Sequence, residues 1–479
     1  MAAFAFIGSA PLSLAQTWIK PTGTGNWNDA ANWGGSIVPS GSLDNETRLV
    51  NGNAEVTTNG SAYSFFIAGS AQLSPANATI TVRDGGTLSS SFTYLGYRVG
   101  ANGTANVVGS GSAWTNLSQL YVGISGGMGN FNVTQGGILT TKNYTYIGYG
   151  AGSNGNVTVS GPNSLWSAEN VIFIGAQGSQ GSLTVENGGT VRTGSNGAQK
   201  IAFGYIGSNT GTVNIGSGGA AGYLQSAGLF VNSGSSGKLN FNHNESAYSF
   251  GSSLEGNLAV EQKGSGTTVI TGNLNTYTGG TTVTGGKLVA NNTAGSAFGS
   301  GSVVVNASAT LAGTGRFTGA ATILGTFAPG NSVGNLSTGS LTIGATGIYE
   351  WEMNKANGSA GNSSGGWDLT TVTGNLLFEP GATLGIESLG LGNQPGLAEG
   401  FDNGASYTWT IATATGTIGG WENLTIDSSG FQNPFTGSFS LSAPGNLLLL
   451  SYTPVPEPTA AAVFASGLLM LAGRRRRCV

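Results

Sequence analysis

Between residues 80 and 220 the chain alternates apolar and polar positions in short bursts, each broken by glycine. Ile80-Thr-Val-Arg-Asp-Gly-Gly-Thr-Leu88, Phe131-Asn-Val-Thr-Gln-Gly-Gly-Ile-Leu139, Leu183-Thr-Val-Glu-Asn-Gly-Gly-Thr-Val191 and the looser Val213-Asn-Ile-Gly-Ser-Gly-Gly219 align with one another. Alternation marks half-buried strands, and paired glycines mark tight turns. Two variants end in tryptophan: Asn106-Val-Val-Gly-Ser-Gly-Ser-Ala-Trp114 and Val157-Thr-Val-Ser-Gly-Pro-Asn-Ser-Leu-Trp166. The valines before the turns, Val82, Val107, Val133, Val159 and Val185, recur at steps of 25, 26, 26 and 26. Ile215 follows after 30, which places a small insertion near Asn196 to Lys200.

A second marker keeps the same beat: Tyr94-Leu-Gly, Tyr121-Val-Gly, Tyr146-Ile-Gly, Phe173-Ile-Gly and Tyr205-Ile-Gly. Each unit therefore predicts strand, glycine-rich turn, strand, loop, strand. A period near 26 suits one coil of a solenoid whose turns stack about 4.8 Å apart. The fold expected is all-β: a right-handed parallel β-helix or close β-solenoid relative, with irregular β caps and a short C-terminal transmembrane helix. Its core would be a column of stacked aliphatics.

An open coil end is an exposed sheet edge and needs a cap. Residues 16–79, with Gly25-Asn-Trp-Asn-Asp-Ala-Ala-Asn-Trp33, form the candidate N-terminal cap; 80–260 hold the repeats of about 26, 261–347 a different repeat, and 348–453 a C-terminal β region. Within the last, Leu447 to Leu450 reads as a buried strand.

Composition narrows the class. Glycine numbers 85 of 479 residues, charged residues make up only 8%, and the formal charge is −4. Valine, isoleucine, threonine and aromatics are plentiful, which sets the chain apart from disordered polyampholytes. The basic run is confined to the C-terminal tail, so no cationic face for nucleic acid is visible. The one cysteine, Cys478, excludes a disulfide framework within the chain.

The two ends suggest export. Residues 1–15 are apolar and small, and Ser13-Leu14-Ala15 has the form of a signal-peptidase site, although a positive n-region is missing. At the other end, Val455, Pro456, Glu457 and Pro458 precede an apolar run from Ala460 to Ala472, then Gly473 and the arginines Arg474, Arg475, Arg476 and Arg477. A helix of this length spans about 20 Å. Its arginines can snorkel to the cytoplasmic headgroups, placing the body outside the inner membrane.

This tail, residues 454–479, resembles the PEP-CTERM sorting signal, with Pro456, Glu457 and Pro458 in the motif positions. Cys478 and Val479 after the arginines depart from it. The resemblance implies an exosortase-type sorting enzyme as partner, a transient inner-membrane anchor and delivery to the surface or matrix of an exopolysaccharide-making bacterium. Residues 80 to 235 resemble the repeat shared by type V secretion passengers and PEP-CTERM proteins. Thr271-Gly-Asn-Leu-Asn-Thr-Tyr-Thr-Gly-Gly-Thr-Thr-Val-Thr-Gly-Gly-Lys-Leu288 resembles the autotransporter-associated β-strand repeat. No C-terminal barrel pattern accompanies it, so the sorting tail would replace the barrel as the exit device.

Candidate chemistry is sparse, and the reading is of a structural or adhesive protein without catalytic, metal or cofactor site. Asp84, Glu169 and Glu186 each stand alone; Glu350 and Glu352 flank Trp351 about 7 Å apart on one strand face, a spacing that alternation gives to any strand. His243 has no second histidine and reads as a loop residue. The paired glycines lack the following aspartate of a calcium roll. The aromatic series Tyr94, Tyr121, Tyr146, Phe173 and Tyr205 is the candidate glycan contact, because each is followed by an aliphatic that alternation sends to the opposite face. The competing account is a structural ladder between coils. Trp114 and Trp166, 52 residues apart, read as corner residues of the core. A glycan-binding module is the alternative function, and a polysaccharide-degrading β-helix enzyme the third.

Overall fold

The computed structural model describes residues 15–20, 22–41, 46–69, 76–390 and 392–455. The chain is all-β, with long parallel sheets and, among the described residues, only short 3-10 turns as helix. It divides into two compact units. One holds the residues up to 311 together with 315–320, the other 312–314 and the residues from 321 on.

In the first unit each repeat of about 26 residues makes three strands. Met128–Thr134 pairs in parallel with Asn102–Val108 on one side and Asn154–Ser160 on the other. Ile138–Thr141 lies between Ala113–Asn116 and Leu165–Ala168, and Thr145–Tyr149 between Leu120–Ile124 and Ile172–Ile174. Each strand thus pairs with its counterpart one repeat away instead of its sequence neighbour, an arrangement compatible with a β-helix.

The valine column lines up as the spacing predicts. Val56, Val82, Val107, Val133, Val159, Val185, Ile215 and Phe241 are successive register partners. None has accessible surface. Burying one such side chain stabilises by about 1.5–3 kcal/mol, whereas fixing each residue's backbone costs about 1–2 kcal/mol. A lone coil cannot meet that cost, so neighbours must share the core. The 30-residue step from Val185 to Ile215 holds an extra 3-10 turn at Ser195–Gly197, overlapping the insertion expected near Asn196 to Lys200.

The paired glycines have two different jobs. Gln135 (φ 55°) and Gly136 (φ 88°) are both left-handed, and the Gly137 N–H donates to the Thr134 carbonyl at 3.0 Å. This is the type I′ geometry, for which glycine is favoured. The second glycine, Gly137, has no positive φ; a Cβ there would collide with the Val107 carbonyl of the preceding repeat. Serine hydroxyls then clip turn to turn. Ser164 Oγ accepts the Gly136 N–H at 3.0 Å and donates to the Ser160 carbonyl at 2.8 Å, and Ser153 Oγ does the same for the Gly126 N–H and Tyr149 carbonyl, both at 2.8 Å.

Beyond Phe241 the repeat shortens. Phe241 pairs with Gln262, Gln262 with Val283 and Val283 with Val305, steps of 21, 21 and 22. A buried polar chain sits at this change. His243 Nδ1 accepts the Glu245 N–H at 3.2 Å, which places the ring proton on Nε2, 2.9 Å from Thr268 Oγ1. Thr268 donates to Gln262 Oε1 at 2.6 Å, and Gln262 Nε2 donates to the Gly264 and Gly266 carbonyls at 3.1 Å. His243 lies in a loop, as expected, but its side chain is buried in the core.

At the N-terminal end of the first unit, Trp27 and Trp33 have no accessible surface; Trp33 stands edge-on to Trp18 and Trp27, and Trp27 edge-on to Phe65. Trp27 directly follows Thr24–Asn26, which pairs in parallel with Gly52–Val56, the strand that carries Val56. Trp114 and Trp166 are register partners of Leu139 on either side and are buried; their Nε1 atoms donate to Ser90 Oγ at 2.8 Å and Thr141 Oγ1 at 3.1 Å.

The second unit continues the parallel habit in three series. Ala321–Ile323, Leu341–Ile343, Leu376–Phe378 and Ile418–Gly419 form one. Thr326–Pro329, Ile348–Met353, Thr383–Ser388 and Thr425–Gly430 form another. The third, Asn335–Thr338, Leu369–Val372 and Tyr407–Ala414, ends in antiparallel pairing with Leu447–Thr453, which also pairs with Ser438–Ser442. Leu448 and Leu450 are buried there, while Leu447 is exposed.

Among the described residues no helix is long and apolar enough to cross a membrane. The predicted anchor at 460–472, together with Pro456, Glu457, Pro458, Arg474, Arg475, Arg476 and Arg477, lies outside the described residues, as do residues 1–14 of the predicted leader. Val455 is exposed, two positions past the last strand.

Candidate functional site

The aromatic series is built by register. Tyr94 lies in Thr87–Tyr97, Tyr121 in Leu120–Ile124, Tyr146 in Thr145–Tyr149 and Phe173 in Ile172–Ile174, each opposite the last. Alternation sends the next residues, Leu95, Val122, Ile147 and Ile174, into the core, where none is accessible. The rings therefore share the outer face of this sheet. Tyr94 and Tyr121 stack at 5.2 Å between centroids with 8° between planes, Tyr121 and Tyr146 at 5.0 Å and 10°, Tyr146 and Phe173 at 5.3 Å and 11°.

Two memberships differ from the sequence expectation. Phe66 opens the column, stacked on Tyr94 at 4.7 Å and 16°. Its signal was an aromatic followed by an aliphatic, Phe66-Ile67; Ala68 stands where the marker has glycine. Tyr205 is not the register partner of Phe173. Ala202 is, in Lys200–Phe203, because the backbone ladder places Phe203 opposite the core residue Ile174. Tyr205 comes after that strand, tilted 55° against Phe173 at 4.9 Å, and Ile206 is two-thirds exposed instead of buried. The register step from Phe173 is 29 residues, to Ala202, so Tyr205, 32 residues on, falls three positions past it.

A flanking pair braces the stack. Tyr97 stands edge-on to Tyr94 and Phe66, and Tyr149 edge-on to Tyr121 and Tyr146. The Tyr149 hydroxyl accepts from Gln177 Nε2 at 2.8 Å. Burial first, and then charge on neighbouring tyrosines, pushes the Tyr94 and Tyr121 hydroxyls above the usual phenol range and Tyr146 up to about 12.

This geometry limits the chemistry available. Sugars stack on ring faces, but inside the column both faces of Tyr94, Tyr121 and Tyr146 are taken by neighbouring rings. Toward solvent the column leaves only ring edges, and Tyr146 is itself buried at 7% exposure. Each stacked pair adds about 0.5–1.5 kcal/mol beyond area burial, so the ladder is also a structural brace.

The carboxylates noted from sequence are dispersed. Arg83 bridges Glu55 at 2.6 Å and also contacts Asp84; Lys142 pairs with Glu169; Ser217 donates to Glu186. Glu350 and Glu352 are half-buried on the face opposite Tyr349, Trp351 and Met353. Asp368, which sequence reasoning missed, is the unusual one: it has no accessible surface, and it accepts the Gly334 N–H at 2.7 Å and the Glu352 N–H at 2.9 Å. Burial, then the nearby charge of Glu352, holds its carboxyl well above the usual carboxylate range. Nothing in Trp367-Asp368-Leu369 announces a buried acid. Among the described residues, no group of three or more His, Cys, Asp or Glu is placed to hold a metal ion. Neither any protein-family model nor any curated protein sequence matches the chain.

Proposed function

We propose that the protein is an exported surface or matrix scaffold, a parallel β-helix with a structural or adhesive role, sorted through its C-terminal tail. The supporting observation is the single column of register partners from Val56 to Phe241, all inaccessible. Such a chain spends its residues on a long stacked core and presents repeated outer faces, which suits display or spacing. The tail supplies the route: Val455-Pro-Glu-Pro458, an apolar run and four arginines, resembling the PEP-CTERM signal, with an exosortase-type enzyme as partner.

Cell fractionation tests the route. The tagged full chain is expected outside the inner membrane, and deletion of Arg474 to Arg477, or Glu457→Ala, should leave it with the membrane. An unchanged distribution in both variants would sink the sorting assignment.

The glycan-contact reading has one observation in its favour, the aligned tyrosines Tyr94, Tyr121 and Tyr146 on the sheet face opposite the core, although Tyr146 is buried among its neighbours. The double variant Tyr121→Phe with Tyr146→Phe keeps the stack and removes two hydroxyls. It should weaken pull-down by exopolysaccharide while melting is unchanged; equal pull-down removes this reading.

A further inference from the structure

At one corner of the first unit, loops from four successive coils line an open cleft of about 890 Å³, bounded by residues 178–180, 208–210, 231–236 and 256–257. Every lining residue is uncharged, and most are serine, threonine, asparagine, glutamine or glycine.

The floor is tied together across coils. Buried Asn209 accepts the Gly178 N–H at 2.8 Å through Oδ1, and its Nδ2 donates to the Gly207 carbonyl at 2.8 Å and to Ser235 Oγ at 3.2 Å. Asn232 Nδ2 donates to the Gly204 carbonyl at 2.5 Å. A site held this way needs little ordering when a ligand arrives.

The wall carries a periodic row. Gln180, Thr210 and Ser236 are consecutive register partners, all exposed, so their polar ends repeat at the strand spacing of about 4.8 Å. An ionic ligand would find no opposite charge among the lining residues. A ligand that repeats neutral hydroxyls at short intervals finds donors and acceptors in step. We infer that this corner cleft is a binding site for a neutral oligosaccharide lying along the row of Gln180, Thr210 and Ser236. The inference shares its ligand class with the aromatic-ladder reading but uses none of the ladder's residues.

Affinity electrophoresis of the full chain tests it, in gels containing dextran, laminarin or hydroxyethyl cellulose, with alginate as the carboxylated comparator. At least one uncharged glycan should retard the wild type, and alginate should not. Thr210→Ile with Ser236→Leu removes two hydroxyls and fills the cleft, and should weaken retardation about tenfold or more. Tyr121→Phe with Tyr146→Phe should leave it unchanged, which separates the cleft from the ladder. The milder pair Thr210→Val with Ser236→Ala serves if the first melts below wild type, and should also weaken binding. No retardation by any of the three neutral glycans, equal retardation by alginate, or undiminished retardation of a folded cleft variant each overturns the inference.

Discussion

Tyr121 lies flat on Tyr94, 8° from parallel and 5.2 Å away, because the two residues hold the same register position in neighbouring strands. The stack is thus a direct readout of backbone pairing. It also fixes how these phenols titrate. With folded values raised above the ordinary 10.0, Tyr94, Tyr121 and Tyr146 keep their protons after the unfolded chain has lost them. Their contribution to stability is full below pH 10 and is lost as pH rises through the folded values, about 12 for Tyr146. Urea midpoints of the full chain should therefore fall as pH rises from 10 through these folded values, and a triple Tyr→Phe variant at these positions should show a shallower fall. An equal fall in both would refute the coupling.

The paired glycines allow a test against intuition. Gly136 carries the positive φ, yet a Cβ there meets nothing closer than about 3.5 Å, whereas at Gly137 it would strike the Val107 carbonyl. Gly136→Ala should cost about 1 kcal/mol of left-handed strain. Gly137→Ala, which must shift backbone in a neighbouring coil, should cost about 2–3 kcal/mol. The order of the two urea midpoints decides it.

Acid should loosen the first unit through His243. Burial lowers its pKa from 6.5, partly opposed by Glu245, and its Nδ1 is needed as an acceptor for the Glu245 N–H. The unfolded imidazole takes a proton as pH falls through 6.5 while the folded one resists, so stability drops on acidification from that point. Once the intrinsic rate is corrected, protection of the Glu245 and Gly266 amides should fall over this range. In His243→Gln that pH dependence should vanish.

Asp368 in the second unit should respond with the opposite sign. Its folded pKa is raised above 3.8, so its stabilising contribution is full below that value and declines as pH rises through the folded one. Exchange at the Gly334 and Glu352 amides should be slower near pH 4 than near pH 8, once the intrinsic rate is corrected. Asp368→Asn cannot ionise and should flatten this dependence, while turning one amide donor toward an N–H costs about 1–3 kcal/mol.

Periodicity alone made much of the first unit legible. Val82, Val107, Val133, Val159 and Val185 recur at nearly fixed steps because each must fall on one column, and a slip of one residue would turn every side chain to the wrong face. The outward rings of Tyr94, Tyr121, Tyr146 and Phe173 followed from the same alternation. Tyr205 was misread because a tripeptide motif carries no information about loop length, whereas hydrogen bonding to Ile172–Ile174 selects Ala202.

Sequence by itself therefore determined the strand pattern and which face of each strand is apolar, since those depend on neighbours a few positions apart, and the repeat length, which shows as recurrence along the chain. Tertiary structure alone decided that the ring faces are consumed by self-stacking, that His243 and Asp368 are sealed from water, and that uncharged loops from four coils meet in a cleft. Those outcomes depend on which residues stacking brings together from 20 to 35 positions apart. Local preferences cannot encode them, because the deciding contacts exist only after the coils have closed over one another.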